Sequence, residues 1–282
     1  MNNLSKTFVY INENGDSIAF LYDKGFLINK PDGIDTLSIK TNQAQGINQT
    51  GTTIQSINVQ ARPVTISGVL VGAFQTDNKS KLLSVIRPDL KGKLYADDYY
   101  LDVYPSATPK IEAKKDFARF QFSMIAAYPY WQKDESATAT LAGFAKRFKF
   151  PWNISKPYRF GEEITAQFIN ISNRGHVPIP FTVTFSALSE VVNPILTDAA
   201  TGDYLLVNKT MIPGEKIVIE ITHERMNCTS SVDGECRGAV DLSSKLYRLA
   251  VGDNVLKPDA ESGKEDMKVD ISYSIEIVGV SV

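Results

Sequence analysis

Histidine and cysteine are scarce, with two of each in 282 residues. That scarcity removes most zinc sites and leaves a histidine-activated nucleophile only His176 or His223 as its base. No stretch reaches the roughly 18 consecutive apolar residues that a membrane-spanning helix needs. The opening Met1-Asn-Asn-Leu-Ser-Lys lacks the apolar run of a secretory signal, so cytosolic synthesis with reduced thiols is expected. An excess of charge of one sign is missing too: 30 Lys+Arg stand against 32 Asp+Glu, a net charge of −2. Residues 1–130 carry 14 basic and 12 acidic side chains, and residues 131–282 carry 16 and 20. Without a basic excess, a phosphate-neutralising surface for nucleic acid is not expected.

β-branched residues are abundant: 25 Ile and 21 Val against 19 Leu. Stiff branched side chains suit a pleated surface better than a helix, so a mainly β chain is expected. The length suggests about two domains. A polar, small-residue segment at 132–141 places the boundary near 135, giving domains 1–135 and 136–282. In the first half, Asn14-Gly15 between two apolar alternations predicts a hairpin with both turn residues at positive φ. Residues 63–72 read as a strand opened by Pro63. A short helix follows, with Asp77 or Asn78 as N-cap and Pro88 as stop. Asp97-Asp98 marks a further hairpin, and Phe120, Phe122 and Met124 share one strand face. The second half carries short strands at roughly 8–12-residue spacing, the pattern of an antiparallel sandwich. Residues 256–266, acidic with Gly and Ser, read as a mobile loop.

Little here resembles a reactive site. Serine never occurs within Gly-x-Ser-x-Gly, and no Gly-rich phosphate loop is present. Asp97/Asp98 and Glu162/Glu163 are sequence neighbours, which point to opposite faces of a strand. His223, Cys228 and Cys236 lack the spacing and fourth ligand of a structural zinc site. Free thiols are the expectation for that cysteine pair, with a disulfide formed after cell lysis as the alternative. Residues 144–152 interleave Lys and Arg with Phe and Trp, which suits a nucleic-acid platform, a membrane anchor or a wet-edged strand; the strand is preferred. No catalytic residue, metal or cofactor is expected. Residues 41–58 are polar and uncharged, with only Ile47, Ile54 and Ile57 to bury. Such a segment gains order most readily by adding its backbone to another chain's sheet, which favours an assembly subunit over an enzyme.

The order of several motifs resembles the distal tail protein (Dit) family of siphophages and prophages. They include Arg62-Pro-Val-Thr-Ile-Ser-Gly-Val-Leu-Val-Gly72, the helix at 79–86, Lys91-Gly-Lys-Leu-Tyr-Ala-Asp-Asp98 and Tyr128-Pro-Tyr-Trp131. In the second half they include Phe148-Lys-Phe-Pro-Trp152, Phe160-Gly161, Asn173-Arg-Gly, Gly214-Glu-Lys-Ile-Val-Ile219 and Leu249-Ala-Val-Gly-Asp-Asn254. The resemblance implies a non-enzymatic protein. It implies an N-terminal β-sandwich-like domain with one short helix and an extended arm, and a C-terminal galectin-like antiparallel β-sandwich. It further implies a homohexameric ring at the end of the tail tube, joined to a tail-associated lysin or fibre protein and carrying receptor-binding protein, in a virion assembled in the host cytoplasm. The ring belt would fall at 41–60, with Gln45, Gly46, Ile47, Gln49, Thr52, Ile54 and Ile57 as interface candidates. Trp152 and the pair Cys228/Cys236 depart from the family pattern. The competing reading is a module for host-wall glycan using the aromatic faces of Trp131, Trp152, Tyr204 or Tyr247.

Overall fold

Strand Phe8–Asn12 turns through Asn14-Gly15 into Ser17–Ala19, as the sequence predicts, but with a different turn. Only Gly15 has positive φ. Asn12 accepts from the backbone N–H of Asn14 and of Asp16 through its Oδ1, and its N–H donates to the Asp16 carbonyl. The buried Asn12 side chain thereby takes over the positioning that a second left-handed residue would have supplied. This detail comes from a computed structural model, which describes residues 7–71, 75–141, 143–145, 162–164 and 168–281.

Two compact units are present: residues 1–135 with 276–282, and residues 136–275. The first is an antiparallel sheet running Ser17–Ala19, Phe8–Asn12, Gly92–Ala96, Tyr99–Pro105, Ala118–Ala126, Arg62–Leu70, Phe26–Ile28. Its halves join only where Met124 and Ile125 meet Pro105 and Tyr104, so the sheet folds over on itself around one core. Strict alternation in Ala118–Ala126 sends Phe120, Phe122 and Met124 inward. There Phe20 meets Phe26, Phe120 and Phe122, and Phe26 meets Phe120, with ring centroids 5.6–6.4 Å apart. Asp97, at φ +52°, turns Gly92–Ala96 into Tyr99–Pro105.

The helix spans Gln75–Val85 and starts earlier than expected, so Asp77 and Asn78 lie within its first turn rather than at its cap. Asn78 instead donates to the Lys24 carbonyl at 2.8 Å and ties the helix to the 3-10 turn Tyr22–Lys24. One core group is left over. The Tyr10 hydroxyl is buried with no partner among the described residues, and burial, then the Glu13 charge, pushes its pKa up to about 12. An unpaired buried hydroxyl costs about 1–3 kcal/mol of desolvation with nothing in return. Tyr10→Phe is therefore expected to leave stability unchanged or raise it by about 1 kcal/mol in a urea titration. A loss above 1 kcal/mol would show that the hydroxyl has a partner.

The end of the chain corrects one expectation. Residues 276–282 belong with the first unit rather than the second, because Glu276–Ile277 pairs with Trp131–Lys133. The buried Glu276 accepts from the Tyr128 hydroxyl at 2.5 Å, and Val280 enters the same core.

In the second unit, a six-stranded antiparallel sheet runs Ala137–Leu141, Met267–Tyr273, Phe181–Ala187, Lys216–Ile221, Met226–Ser230, Gly234–Glu235. A five-stranded sheet runs Ile169–Asn173, Gly252–Ser262, Val191–Asp198, Tyr204–Leu206, with Thr210–Met211 beside Val191. Both contribute to a single apolar core, so the unit is a β-sandwich. The stretch read as a mobile loop from residue 256 is largely the strand Gly252–Ser262. Its acidic residues face outward, where Asp259 pairs with Lys257 at 3.3 Å and Lys264 at 3.5 Å. Pro258 falls where only Val191–Asp198 pairs with this strand, so its missing N–H breaks no second ladder. Two buried asparagines hold its start: Asn173 Nδ2 donates to the Val177 and Leu249 carbonyls, and Asn254 Nδ2 to those of Ala250 and Gly252. A short pair, Gly143–Ala145 with Glu162–Ile164, stands apart from both sheets. Phe148, Phe150, Trp152, Phe160 and Gly161, and with them most of the basic–aromatic stretch, lie outside the described residues.

Candidate assembly interface

Residues 39–59 form a hairpin of Ile39–Ala44 with Thr53–Val59 that pairs with no other described strand. None of its residues is buried. A two-stranded ribbon alone is marginal in water, and both of its outer edges carry unpaired backbone groups. Its register explains what it displays. Ile39 faces Val59 and Thr41 faces Ile57, but a slip between Asn42 and Gln43 sets Gln43 opposite Ile54. Ile54 and Ile57 are three residues apart and would point to opposite faces of a regular strand. The bulge at Gln55 restores them to one side. Ile39, Ile54, Ile57 and Val59 thus make an apolar face, each at least 42% exposed. Ile39 lies just outside the belt expected at 41–60, and Val59 lies inside it but is not among the named candidates, because the polar stretch at 41–58 ends within the strands.

The interface candidates divide by environment. Ile54 and Ile57 lie on the apolar face, and Ile47 at the tip is 99% exposed. Gln45, Gly46, Gln49 and Thr52 bond within the arm. Gln49 Oε1 accepts from the Gly46 N–H, Gln45 Nε2 donates to the Gln49 carbonyl, and the Thr52 hydroxyl donates to Gln43. Asn48 and Gly51 at positive φ close the loop. These four hold the tip's shape and leave Ile47 outermost.

The foot of the arm is fixed. Arg62 is 2% exposed, and its guanidinium donates to three carbonyls: Pro129 (2.6 Å), Gly33 (2.8 Å) and Val278. Burial pushes its pKa down to about 10, against the pull of Asp35 and Tyr130, so it remains a cation at neutral pH. Trp131, fully buried, donates its indole N–H to the Ile34 carbonyl at 2.9 Å. Gly33 has φ +82°, and a Cβ there would lie 2.0 Å from the Pro63 carbonyl oxygen. Only glycine lets the chain pass so close to the strand that leaves the arm.

Elsewhere the chemistry is sparse. Among the described residues no group of three or more His, Cys, Asp or Glu is placed to hold a metal. His176 is exposed in its turn and His223 half-buried. Of the aromatics offered for glycan, Trp131 and Tyr247 are core residues, Tyr204 is half-buried, and Trp152 lies outside the described residues.

The fold and this arm define a class: a mainly antiparallel β protein of two units that carries a ribbon paired with no other described strand. Residues 174–275 match the family described as the siphovirus-type tail component, C-terminal domain, of the SPP1 Dit type. SPP1 Dit itself, described as a paradigm of the hub adsorption apparatus in phages infecting Gram-positive bacteria, shares the fold. The TM-score is 0.68 at 12% identity, covering 95% of this chain and 98% of that one. The phage P2 baseplate in its activated conformation with Ca aligns over 98% of this chain and 100% of its own at 8% identity, with a TM-score of 0.49. The corresponding Sr form aligns over the same shares at 9% and 0.47. No curated protein sequence matches. The matched segment lies within the second unit, and the fold shared with SPP1 Dit extends along nearly the whole chain, in keeping with the Dit-like order of the motifs.

Proposed function

We propose that this structural tail protein closes into a homohexameric ring at the distal end of the tail tube. One face of the ring meets the tube protein, and the other the tail-associated lysin or fibre protein. Receptor-binding protein is anchored at its periphery. The particle is put together in the host cytoplasm. The observation that carries the reading is the isolated hairpin at 39–59 with four exposed branched side chains on one face. Docking that ribbon on the next subunit satisfies its open edge and buries Ile39, Ile54, Ile57 and Val59. Each isoleucine or valine fully buried adds about 1.5–3 kcal/mol, enough for an obligate contact when repeated at every junction of a closed ring. Gln45, Gly46, Gln49 and Thr52 shape the tip so that Ile47 leads into the neighbour.

Light scattering on the full chain is expected to show hexamers, alone or once the tail partner is added, and negative-stain images an annulus. Removing residues 43–58 is expected to leave folded monomers. The pair Ile54→Glu with Ile57→Glu is expected to weaken each junction by roughly 30-fold or more, about 2 kcal/mol. Hexamers that persist in both variants would remove the arm from the interface, and monomers under every condition would remove the ring. Of the four aromatics offered for glycan, Trp131 and Tyr247 pack inside.

A further inference from the structure

Cys228 and Cys236 sit at the open end of the outermost hairpin of the six-stranded sheet. Thr229 pairs with Glu235 and Ser230 with Gly234, and Gly234 at φ +76° closes the turn. The next pair outward is Cys228 with Cys236, whose N–H donates to the Cys228 carbonyl at 2.9 Å. Both are thiols in the structure, with their sulfurs 2.7 Å apart. Two unbonded sulfurs prefer a separation about 1 Å greater, whereas directly opposed strand residues have the Cα spacing a disulfide tolerates. A metal does not account for the pair, because no third His, Cys, Asp or Glu joins them among the described residues.

We propose that Cys228 and Cys236 form an intramolecular disulfide when the folded protein meets a small-molecule disulfide. Exposure sets the order of events. Cys228 is buried in the core, and Cys236 is half-exposed. The Cys236 thiolate attacks the small disulfide RSSR, giving a mixed disulfide and releasing RS⁻. Cys228 then loses its proton, and its sulfur attacks Cys236 Sγ, giving the Cys228–Cys236 bond and a second thiol. Two protein thiols are oxidised and one small disulfide is reduced to two thiols. Burial, then Cys236, holds the Cys228 pKa up to about 12, in keeping with Cys236 as the first of the two to attack.

The bond has a structural effect beyond the hairpin. Cys236 leads through the 3-10 turn Arg237–Ala239 to Val240, which bridges to Val207. Asn208 donates to the Ala239 carbonyl at 2.7 Å, and Asp241 to that of Leu206 at 2.9 Å. The cross-link therefore pins the connection between the two sheets of the sandwich to the outer edge of one of them. The tail reading supplies the occasion, since a particle freed by lysis leaves a reducing cytosol. The thiol chemistry itself does not depend on that reading.

Equilibrating the folded full-length protein with oxidised glutathione tests this. The expected product is about 2 Da lighter, yields a linked peptide joining positions 228 and 236, and reverts with dithiothreitol. Its melting temperature is expected to exceed that of the reduced protein by roughly 5 °C or more. Cys236→Ser is expected to abolish both the linkage and the gain. Two thiols that remain fully alkylatable after equilibration would overturn the proposal, as would a glutathione adduct on Cys236 that never resolves. A linked protein that melts no higher would overturn the tether. Oligomeric state is not read in this assay, so its failure and that of the ring remain distinguishable.

Discussion

Arg62→Ala is expected to destabilise the first unit by about 3–5 kcal/mol, lowering its melting temperature by roughly 10 °C or more. The side chain is buried at the foot of the arm, and its charge is met by carbonyl oxygens rather than by a direct carboxylate bond. Truncation takes this donor from the Pro129, Gly33 and Val278 carbonyls, and a buried acceptor that loses its hydrogen bond costs about 1–3 kcal/mol. It also opens a cavity the size of the largest buried cation. Arg62→Lys is expected to recover less than half of the loss. One ammonium on a flexible stem cannot reach three divergent carbonyls that a planar fork spans at once. Because Val278 lies on the returning end of the chain, limited proteolysis is expected to cut within 276–282 sooner in Arg62→Ala than in wild type. Calorimetry with a loss below 1 kcal/mol would mean that water replaces the guanidinium at no cost, and that the clamp is incidental.

What could be read in advance follows from the range over which each signal acts. Strands such as Ala118–Ala126 and Lys216–Ile221 declare themselves because alternation is local and their apolar face is continuous. The hairpin at Asn14-Gly15 was legible, but its turn type was not, since Asn12 supplies the hydrogen bonds through a side chain that the dipeptide does not mention. The helix start was misplaced because Asn78, a good cap by type, is used by Lys24 fifty-four positions away. Glu276–Ile277 is only two residues long, and its partner Trp131–Lys133 is distant in the chain, so no periodicity announces the return. The arm was legible from its lack of charge and core residues. The bulge that gathers Ile54 and Ile57 on one face was not, because register belongs to the pair of strands and not to either one. The acidic strand Gly252–Ser262 was hidden because its outward charges resemble those of a loop. Its inward residues, Asn254, Leu256 and Pro258, include two that seldom mark a strand.

The same distance hides the group with the second largest expected effect. Lys209, Glu215, Ser230 and Asp233 are spread over loops and a strand end, and each alone reads as a solvated residue. Folded, Glu215 is buried and ion-paired with Lys209; it accepts from the Ser230 hydroxyl at 2.5 Å and from the Ile212 N–H at 3.1 Å. Lys209 reaches onward to the exposed Asp233 at 2.5 Å. Burial opposes the charge on Glu215, but Lys209, Ser230 and the Ile212 N–H outweigh it and hold the carboxyl below its usual range. Burial likewise opposes the charge on Lys209, and Asp233 with Glu215 overcomes it and raises its pKa. Glu215→Ala leaves Lys209 only the exposed Asp233 as a counter-charge and takes the acceptor from the Ser230 hydroxyl and the Ile212 N–H, at an expected cost of about 2–4 kcal/mol, whereas Asp233→Ala, at the wet end, is expected to cost at most about 1 kcal/mol. The pH dependence follows in sign. A carboxyl depressed in the folded state binds fewer protons there than in the unfolded chain. Its contribution is complete above the unfolded value of about 4.3 and disappears as pH falls through the lower folded value. The Lys209 contribution is complete below about 10.4 and disappears as pH rises through the higher folded value. Glu215→Gln keeps the shape and removes the titration, so it is expected to start less stable at pH 7 and to lose less on acidification. Guanidinium midpoints measured from pH 7 to pH 3 separate the two proteins. Parallel acid slopes would show that Glu215 is not the group through which acid loosens the sandwich.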